Sequence, residues 1–361
     1  MKVPKTMTAV LLTGHGGLEK LVIRHDVPVP SLHAEDVLVR VGACGVNNTD
    51  INTRKGWYAP AAQGTTDEKV ILKDDDQGAW SGSLSFPRIQ GADVAGRIAA
   101  VGKSVSVERI GERVIVEPLV RHAGSPDDHS HIEYLGSERD GGFAEYVAVP
   151  SVNAFLVNSE FSDAELATFP CSYSTAEHML TRIRITPQDT LLITGASGGV
   201  GSALVQLAKR RGATVLAVAG AAKKDAVAAL GADVVIDRET DLTVALKQLL
   251  PEGSVDAVAD VVGGKGFPNL VAALKRGGRY VTAGAIAGPI VSLDLRQLYL
   301  KDLEFQGATV LPQGLFGRLV SYIEHRDIQP VLAGEYPLTA IREAQTAFIA
   351  KKHVGSFVLR P

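Results

Sequence analysis

The chain is poor in cysteine, has no excess of charge of either sign and contains no long hydrophobic run. Its 361 residues include two cysteines, Cys44 and Cys171, which are too few for a disulfide framework. A formal net charge of −3 provides no basic surface for nucleic acid. No segment approaches the roughly 18 apolar residues of a membrane span, and residues 1–7 lack the apolar core of a signal peptide. We therefore expect a soluble, cytoplasmic protein that binds neither nucleic acid nor membrane.

The length and the 45% hydrophobic content allow a sizeable core and two domains. Residues 1–155 consist of short alternating segments separated by Gly, Pro and Asp, which predict antiparallel strands of a partly closed β-barrel. The clearest of these segments are Thr8–Leu12, Asp36–Val41, Val94–Val101, Arg113–Val116 and Ala144–Val149. The chain ends on another alternating segment, Gly355–Leu359, which we expect to return to this first domain.

A short apolar strand leads directly into a cluster of glycines at residues 190–201, TLLITGASGGVG. Helical spacing follows over Ser202–Arg211. In a strand–turn–helix of this kind, glycines let the backbone approach a pyrophosphate, and the helix N-terminus supplies free N–H groups and partial positive charge. The spacing differs from the standard G-x-G-x-x-G. The predicted cofactor-binding residues of this loop are Gly195, Ser197, Gly198, Gly199, Val200 and Gly201.

Strand and helix patterns alternate after the glycine cluster, with Gly or Pro at most junctions. Repeated βα units imply a parallel sheet covered by helices on both faces, the doubly wound dinucleotide-binding (Rossmann) fold. We assign residues 156–304 to this domain and residues 1–155 and 305–361 to a discontinuous catalytic domain. The segments that carry the prediction are strands at Thr214–Val218, Asp233–Ile236, Val255–Val262 and Arg279–Ala283, and helices at Lys223–Leu230, Leu242–Leu250 and Phe267–Lys275.

Several stretches resemble the medium-chain dehydrogenase/reductase superfamily, in particular its zinc-independent quinone oxidoreductase-like branch. Their order along the chain matches that of the family, and together they cover nearly its whole length. They are Gly45–Asp50 (GVNNTD), Gly91–Gly96 (GADVAG), Gly141–Val147 (GGFAEYV), Thr175–Ala176, the glycine cluster, Leu230–Asp233 (LGAD) and Asp260–Gly264 (DVVGG).

The resemblance implies a GroES-like catalytic domain beside the nucleotide-binding domain, and a homodimer. It also places Thr175 on a helix next to the cofactor. Gly263 and Gly284 fall in segments that end strands at the carboxyl edge of the sheet, where ligands bind in such folds. We expect these three residues to contact the cofactor.

The resemblance bears on metal binding, because many relatives are zinc alcohol dehydrogenases. Where those enzymes have zinc ligands, this chain has Asn47, Ala92 and Cys171, and only the last is a ligand type that suits zinc. A catalytic zinc needs three protein ligands, so we expect no metal. The insertion Arg121–Tyr134 carries His122, His129 and His131, but its Gly, Ser, Pro and Asp residues indicate a solvated loop.

The second strand of the nucleotide domain predicts which dinucleotide is bound. NAD sites place an acidic residue at the end of this strand to bind the ribose hydroxyls. Here no acid precedes Asp225, and Lys223 and Lys224 follow the strand closely. An ammonium attracts a 2′-phosphate that a carboxylate would repel. The sequence therefore favours NADP(H), with Lys223 and Lys224 as the candidate phosphate contacts, although either lysine also suits an exposed helix surface.

NADPH without zinc suits hydride transfer to a small-molecule electrophile, a quinone or an α,β-unsaturated carbonyl compound. Asn47 is the candidate for orienting the substrate oxygen, and Tyr58, Tyr173 and His178 are possible proton donors. Two alternatives stay open at this point. One is a zinc-type alcohol dehydrogenase with a rearranged site using Asp93 and Cys171, and the other is an NADPH-binding protein without turnover.

Overall fold

A computed structural model describes residues 3–68, 70, 84–121 and 132–361. Relative to the family that the chain resembles, Gly56–Phe86 is an insertion, and its segment with Asp74, Asp75, Asp76 and Trp80 lies outside the described residues, as do His122, His129 and His131. The strands are β1 (Thr6–Leu12), β2 (Leu21–Pro28), β3 (Asp36–Val46), β4 (Arg88–Ile89), β5 (Asp93–Val101), β6 (Arg113–Val116), β7 (Leu119–Arg121), β8 (Ile132–Tyr134), β9 (Tyr146–Pro150), β10 (Ala154–Leu156), β11 (Thr190–Ile193), β12 (Thr214–Ala219), β13 (Val234–Asp237), β14 (Val255–Asp260), β15 (Leu274–Thr282), β16 (Glu304–Gly307), β17 (Leu332–Pro337) and β18 (Ser356–Arg360).

Ten α-helices connect or cover these strands in the described part of the chain. Within those residues, none of the helices combines the length and the apolar character needed to cross a membrane. The helices are α1 (Asn48–Lys55), α2 (Asp163–Leu166), α3 (Pro170–Arg182), α4 (Gly199–Arg210), α5 (Lys224–Ala229), α6 (Leu242–Leu249), α7 (Phe267–Ala273), α8 (Leu295–Leu300), α9 (Leu315–Glu324) and α10 (Ile341–Ile349).

The first half of the chain forms antiparallel sheets around β3. The larger sheet has the order β10-β6-β5-β3-β18-β17, with β9 also paired to β3, and a smaller sheet has the order β2-β1-β4. The C-terminal strand β18 lies antiparallel to β3, with Val358 opposite Gly45. The last residues of the chain therefore pair with its N-terminal part, and they bring the segment after α10 to the end of β3.

The second half forms a parallel sheet of six strands in the order β13-β12-β11-β14-β15-β16. The strand order reverses at β11, which has β12 on one side and β14 on the other, and a ligand crevice forms at the carboxyl ends of strands at such a point. The predicted α/β fold with a doubly wound parallel sheet and a GroES-like domain is confirmed. Strand β16 reaches Gly307, so the sheet continues three residues past the expected boundary at residue 304.

Helices α3 and α4 pack together over this sheet and form one continuous core with it. The apolar positions of α4, Leu204, Leu207 and Ala208, are buried as their helical spacing predicts. Pro170 stands in the first turn of α3, where its missing N–H costs no hydrogen bond. This core holds the N-termini of α3 and α4 side by side at the end of β11, where the candidate site lies.

Candidate functional site

The glycine loop between β11 and α4 forms the floor of the site. Gly195 has a left-handed φ of 59°, and a Cβ on Gly201 would overlap the carbonyl oxygen of Gly195. The first residue of α4 is Gly199, where a Cβ would overlap the hydroxyl of Ser172. The earliest backbone bond that the helix makes is from Ser202 N to Gly198 O, so the N–H groups of residues 199–201 have no partner within the helix. The loop therefore fits the predicted pyrophosphate cradle.

Lys351, close to the C-terminus, contacts Lys223 beside this loop. Lys223 Nζ donates to the carbonyl oxygen of Lys351 at 2.6 Å and lies 3.5 Å from Ser197 Oγ. Lys351 Nζ in turn donates to Asn48 Oδ1 at 2.8 Å. The segment after α10 is held there by a backbone bond, Gly355 N to Ser197 O, at 3.0 Å. The Lys223 ammonium thus lies beside the glycine loop, and the backbone of Lys351 packs against it, while the Lys351 ammonium reaches the start of α1.

Burial and neighbouring positive charges destabilise the charged forms of Lys223, Lys351 and His353. Burial, with the neighbouring charge of Lys223, lowers the pKa of Lys351 to about 8. Burial and the charge of Arg238 lower the pKa of Lys223. Burial and both lysines lower the pKa of His353 to about 4. A bound anion would relieve this repulsion between like charges. Sequence reasoning missed Lys351 because 128 residues separate it from Lys223.

The other predicted cofactor residues occupy different positions. Lys224 is half-buried at the start of α5, and no hydrogen bond joins its side chain to the glycine loop among the described residues. Thr175 is half-buried on α3, Val200 is half-buried in the first turn of α4, and Gly284 follows β15 at the carboxyl edge of the sheet. Gly263 follows β14 with a φ of 63°, so a non-glycine residue there would be strained.

A buried carboxylate holds the loop that contains Gly263. Asp260, the last residue of β14, is fully buried and accepts from Thr194 Oγ1 and from the Tyr280 hydroxyl. It also accepts from the backbone N–H groups of Val262 and Gly263, at 2.8 Å and about 3.1 Å. These four donors satisfy the charge and anchor the loop at the carboxyl end of the sheet.

Asn47 lies between two buried carboxylates at the junction of β3 and α1. Asp50 accepts from the Asn47 backbone N–H at 2.7 Å, and Asp93 Oδ2 accepts from Asn47 Nδ2 at 2.7 Å. The other oxygen of Asp93 accepts from the backbone N–H of Cys171, in the first turn of α3. Burial raises the pKa of Asp93 and of Asp50 to about 7, and the hydrogen bonds that each carboxylate accepts oppose the rise. The structure thus connects Asn47 to the N-terminus of α3.

Two tyrosines flank Cys171 in the same region. The Tyr134 hydroxyl donates to Cys171 Sγ at 3.1 Å, and the Tyr58 hydroxyl donates to Thr49 Oγ1 at 3.2 Å. Burial raises the pKa of the Cys171 thiol and of both tyrosines, so all three groups hold their protons at neutral pH. Tyr134 was not among the sequence candidates, because it ends a segment in which the histidines were the conspicuous residues.

The remaining candidates for proton donation are core residues. Tyr173 is 1% exposed, and its hydroxyl donates to the backbone oxygen of Gln329 at 2.5 Å. His178 is 2% exposed within α3. Their surroundings favour packing roles over contact with a substrate.

The donor set at Asn47, Ala92 and Cys171 does not fit a catalytic zinc. Both oxygens of Asp93 already accept hydrogen bonds, and the Cys171 sulfur accepts one from Tyr134. An amide and a methyl group at the other two positions leave too few ligands. Within the part of the chain that the structure describes, no three His, Cys, Asp or Glu side chains are grouped so that they could hold a metal ion.

Two family models match the chain in the same order as the two structural halves. An alcohol dehydrogenase GroES-like domain matches residues 33–159, and a zinc-binding dehydrogenase model matches residues 199–324. A crystal structure from Sinorhizobium meliloti 1021, named as an alcohol dehydrogenase, is 49% identical, and the alignment covers 99% of this chain and 98% of that one with a TM-score of 0.90. The chain belongs to the medium-chain dehydrogenase/reductase superfamily.

Two further relatives of this dehydrogenase/reductase have names that describe oxidoreductases. The quinone oxidoreductase of Lama guanicoe is 27% identical over 349 residues, which are 94% of this chain and 93% of that protein. The 2-octenoyl-CoA carboxylase reductase CinF, solved with NADP and 2-octenoyl-CoA, is 25% identical with a TM-score of 0.83, covering 99% of this chain and 88% of that one. The predicted superfamily and its quinone oxidoreductase-like branch are confirmed, and the chain is an oxidoreductase that uses a nicotinamide dinucleotide.

Proposed function

We propose that this dehydrogenase/reductase transfers hydride from NADPH to a quinone or an α,β-unsaturated carbonyl compound without a metal. The observation that carries the proposal is the hydrogen-bonded arrangement in which Asp93 joins Asn47 and Cys171, two of the three zinc-ligand positions, while the third position is Ala92. Hydride addition to a conjugated carbon moves negative charge onto the substrate oxygen, and hydrogen bonds are sufficient to stabilise that charge.

The chain provides donors for this oxygen. Asn47 Nδ2 gives one hydrogen to Asp93 and keeps its second hydrogen for a substrate. The hydroxyls of Tyr58 and Tyr134 are protonated at neutral pH, because burial raises the pKa of both, and the Tyr134 hydroxyl contacts the Cys171 sulfur. A bound NADPH supplies the hydride, and the substrate gains its proton from the Tyr58 hydroxyl or from water. We assign substrate orientation to Asn47.

The choice of NADPH over NADH rests on the cations at the glycine loop. The end of β12 has no carboxylate, Lys223 Nζ lies beside Ser197 at the loop, and Lys351 contacts Lys223 through its backbone oxygen. Arg238 follows β13 and lies near Gly220, directly after β12. Three positive charges around this position suit the 2′-phosphate of NADPH. The reductase CinF, solved with NADP, supports the same choice.

A substrate screen with the purified protein tests this function. We expect oxidation of NADPH in the presence of quinones or enones, with a lower kcat/KM for NADH and no loss of activity after dialysis against a chelator. A primary kinetic isotope effect with C4-deuterated NADPH would identify hydride transfer. Stoichiometric zinc with chelator-sensitive alcohol oxidation would establish the alcohol dehydrogenase alternative. Tight NADPH binding without turnover of any acceptor would establish the binding protein.

We further propose that the protein is a homodimer that acts in the cytoplasm. Both of its cysteines are free, as expected in a reducing compartment. The edge strand β16 is preceded in the sequence by a segment with several exposed hydrophobic side chains, here called the patch, a combination that suits pairing with a second copy. The patch consists of Ile290, Val291, Leu295, Tyr299 and Leu300, whose exposures range from 39% to 68%.

Charge reversal in this patch tests the dimer. Leu295→Glu combined with Tyr299→Glu is expected to yield monomers in sedimentation velocity, because two buried charges would face their own symmetry mates across the interface. Val152→Glu is the matched control, since Val152 is 79% exposed and lies outside the patch. A wild-type monomer, or a dimer that survives the double substitution, would show that this surface is not the interface.

A further inference from the structure

Asp93 is fully buried beside the candidate site and is not accessible to solvent. Its relative exposure is 0%, and it stands at the start of β5, directly after Ala92. Oδ2 accepts from the Asn47 amide at 2.7 Å, and Oδ1 accepts from the backbone N–H of Cys171. A substrate at Asn47 would therefore be affected by Asp93 only through the residues that Asp93 holds.

The chemistry of these bonds determines how the Asn47 amide is turned. In the structure, Asn47 Nδ2 donates to Asp93 Oδ2, and Asn47 Oδ1 lies 3.5 Å from the Ser172 hydroxyl. A hydroxyl can donate or accept, so Ser172 alone would tolerate either orientation of the amide. Above its pKa, Asp93 is a carboxylate that accepts hydrogen bonds and donates none, and it therefore selects the observed orientation.

A second carboxylate holds the backbone of the same residue. Asp50 accepts from the Asn47 N–H at 2.7 Å, which ties the start of α1 to the end of β3. The backbone N–H of Asp50 also donates to the Asn47 side chain in the capping box of α1, which supports the same orientation of the amide. The two carboxylates still have separate tasks: the Asp50 carboxylate holds the backbone of Asn47, and the Asp93 carboxylate accepts from its amide.

We infer that Asp93 is a positioning residue, which fixes the polarity of the Asn47 amide and thereby keeps an N–H available for the substrate oxygen. The inference rests on the proposed function for the identity of that oxygen. It assigns to Asp93 a role in hydride transfer that needs neither metal ligation nor direct contact with the substrate.

The decisive variant is Asp93→Asn. An asparagine at position 93 keeps the bond from Cys171 with its carbonyl oxygen and then directs its NH₂ group toward Asn47. Asn47 can satisfy that group only by turning its own amide by half a turn. The protein should therefore fold, bind NADPH with unchanged affinity, and lose ~10² in kcat with a KM within a few-fold of the wild type.

A double-mutant cycle separates positioning from a structural role. If Asp93 acts only through Asn47, Asp93→Asn lowers kcat in the wild-type background and has no further effect in the Asn47→Ala background. A further loss in that background would show that Asp93 acts through Cys171 and α3, which would overturn the inference. If Asp93→Asn does not fold, Asp93→Ser takes its place in the same cycle, because a hydroxyl can donate or accept and therefore selects neither orientation of the Asn47 amide.

Nuclear magnetic resonance decides the inference even if no acceptor is turned over. With selective ¹⁵N-asparagine labelling, the Asn47 side-chain NH₂ signal is identified by its absence in Asn47→Ala. We expect one strongly deshielded, slowly exchanging proton in the wild type and its loss in Asp93→Asn. An unchanged signal would overturn the inference. Absence of turnover with a changed signal would instead overturn the proposed function alone.

Discussion

Methionine at both Lys223 and Lys351 is expected to abolish the preference for NADPH over NADH. The Lys223 side chain lies at the glycine loop, where the chain lacks the carboxylate typical of NAD sites, and the Lys351 ammonium is a charged neighbour of Lys223. A hydrogen bond to a charged group contributes about 1.5–3 kcal/mol. Removing both should raise the Kd of NADPH ~10²–10⁴-fold. The Kd of NADH should stay within a few-fold of the wild type. Fluorescence titration with each dinucleotide measures both constants.

The chain offers a matched control for this experiment. Lys224 neighbours Lys223 in sequence, but its side chain makes no hydrogen bond to the loop among the described residues. Lys224→Met should therefore leave the ratio of the two dissociation constants unchanged. If Lys223→Met and Lys351→Met weaken NADPH and NADH equally, these lysines contact the shared pyrophosphate and the proposed phosphate site is wrong.

The pH dependence of the same titration tests Lys351 separately. Its pKa is lowered to about 8, so the free protein loses this charge as the pH rises through that value. A phosphate dianion binds the charged form, and the affinity for NADPH relative to NADH should fall above pH 8. Asn48 is the polar partner of the ammonium, while Lys223 and Asp67 are its charged neighbours. In Lys351→Met, which retains Lys223, the decline near pH 8 should disappear.

Local patterns predicted the parallel sheet and its glycine turn, because the hydrophobic periods of strands and helices and the glycines between them are visible in consecutive residues. The start of α4 shows the limit of such patterns. Helical spacing predicted a start at Ser202, but α4 begins at Gly199 despite the low helix propensity of glycine. A tertiary contact explains the glycine at this position, since any larger residue at 199 would overlap the Ser172 hydroxyl.

Only those residues of the candidate site could be predicted whose role is indicated by the neighbouring sequence. Asn47 and Lys223 were found from the segments around them. The partners that define their chemistry, Asp93 and Lys351, are 46 and 128 residues away, respectively. Asp93 was considered only as a metal ligand, because its hydrogen bonds to Asn47 and α3 depend on how β3, β5 and α3 pack. Sequence patterns contain no comparable signal for such contacts.

Alanine at Gly201 is expected to abolish cofactor binding. Its Cβ would overlap the backbone oxygen of Gly195, and neither atom can move by side-chain rotation. The loop or the first turn of α4 must shift, which should cost about 1–3 kcal/mol of folding free energy and several degrees of Tm. The displaced N–H groups would no longer converge on a pyrophosphate. We expect a loss of at least ~10²-fold in affinity for both NADPH and NADH, measured by titration calorimetry.

Gly198→Ala separates the effect on the loop from the effect on the ligand. Gly198 has an extended φ of −81°, and the nearest atom to an added Cβ is the Gly195 oxygen, at 3.5 Å. The free protein should accept this methyl group with an unchanged Tm. Because Gly198 caps the exposed N-terminus of α4, the methyl group should instead collide with a bound pyrophosphate and weaken both dinucleotides. If Gly198→Ala binds them as tightly as the wild type, the pyrophosphate does not lie over this helix end, and the cofactor position proposed for residues 195–201 is wrong.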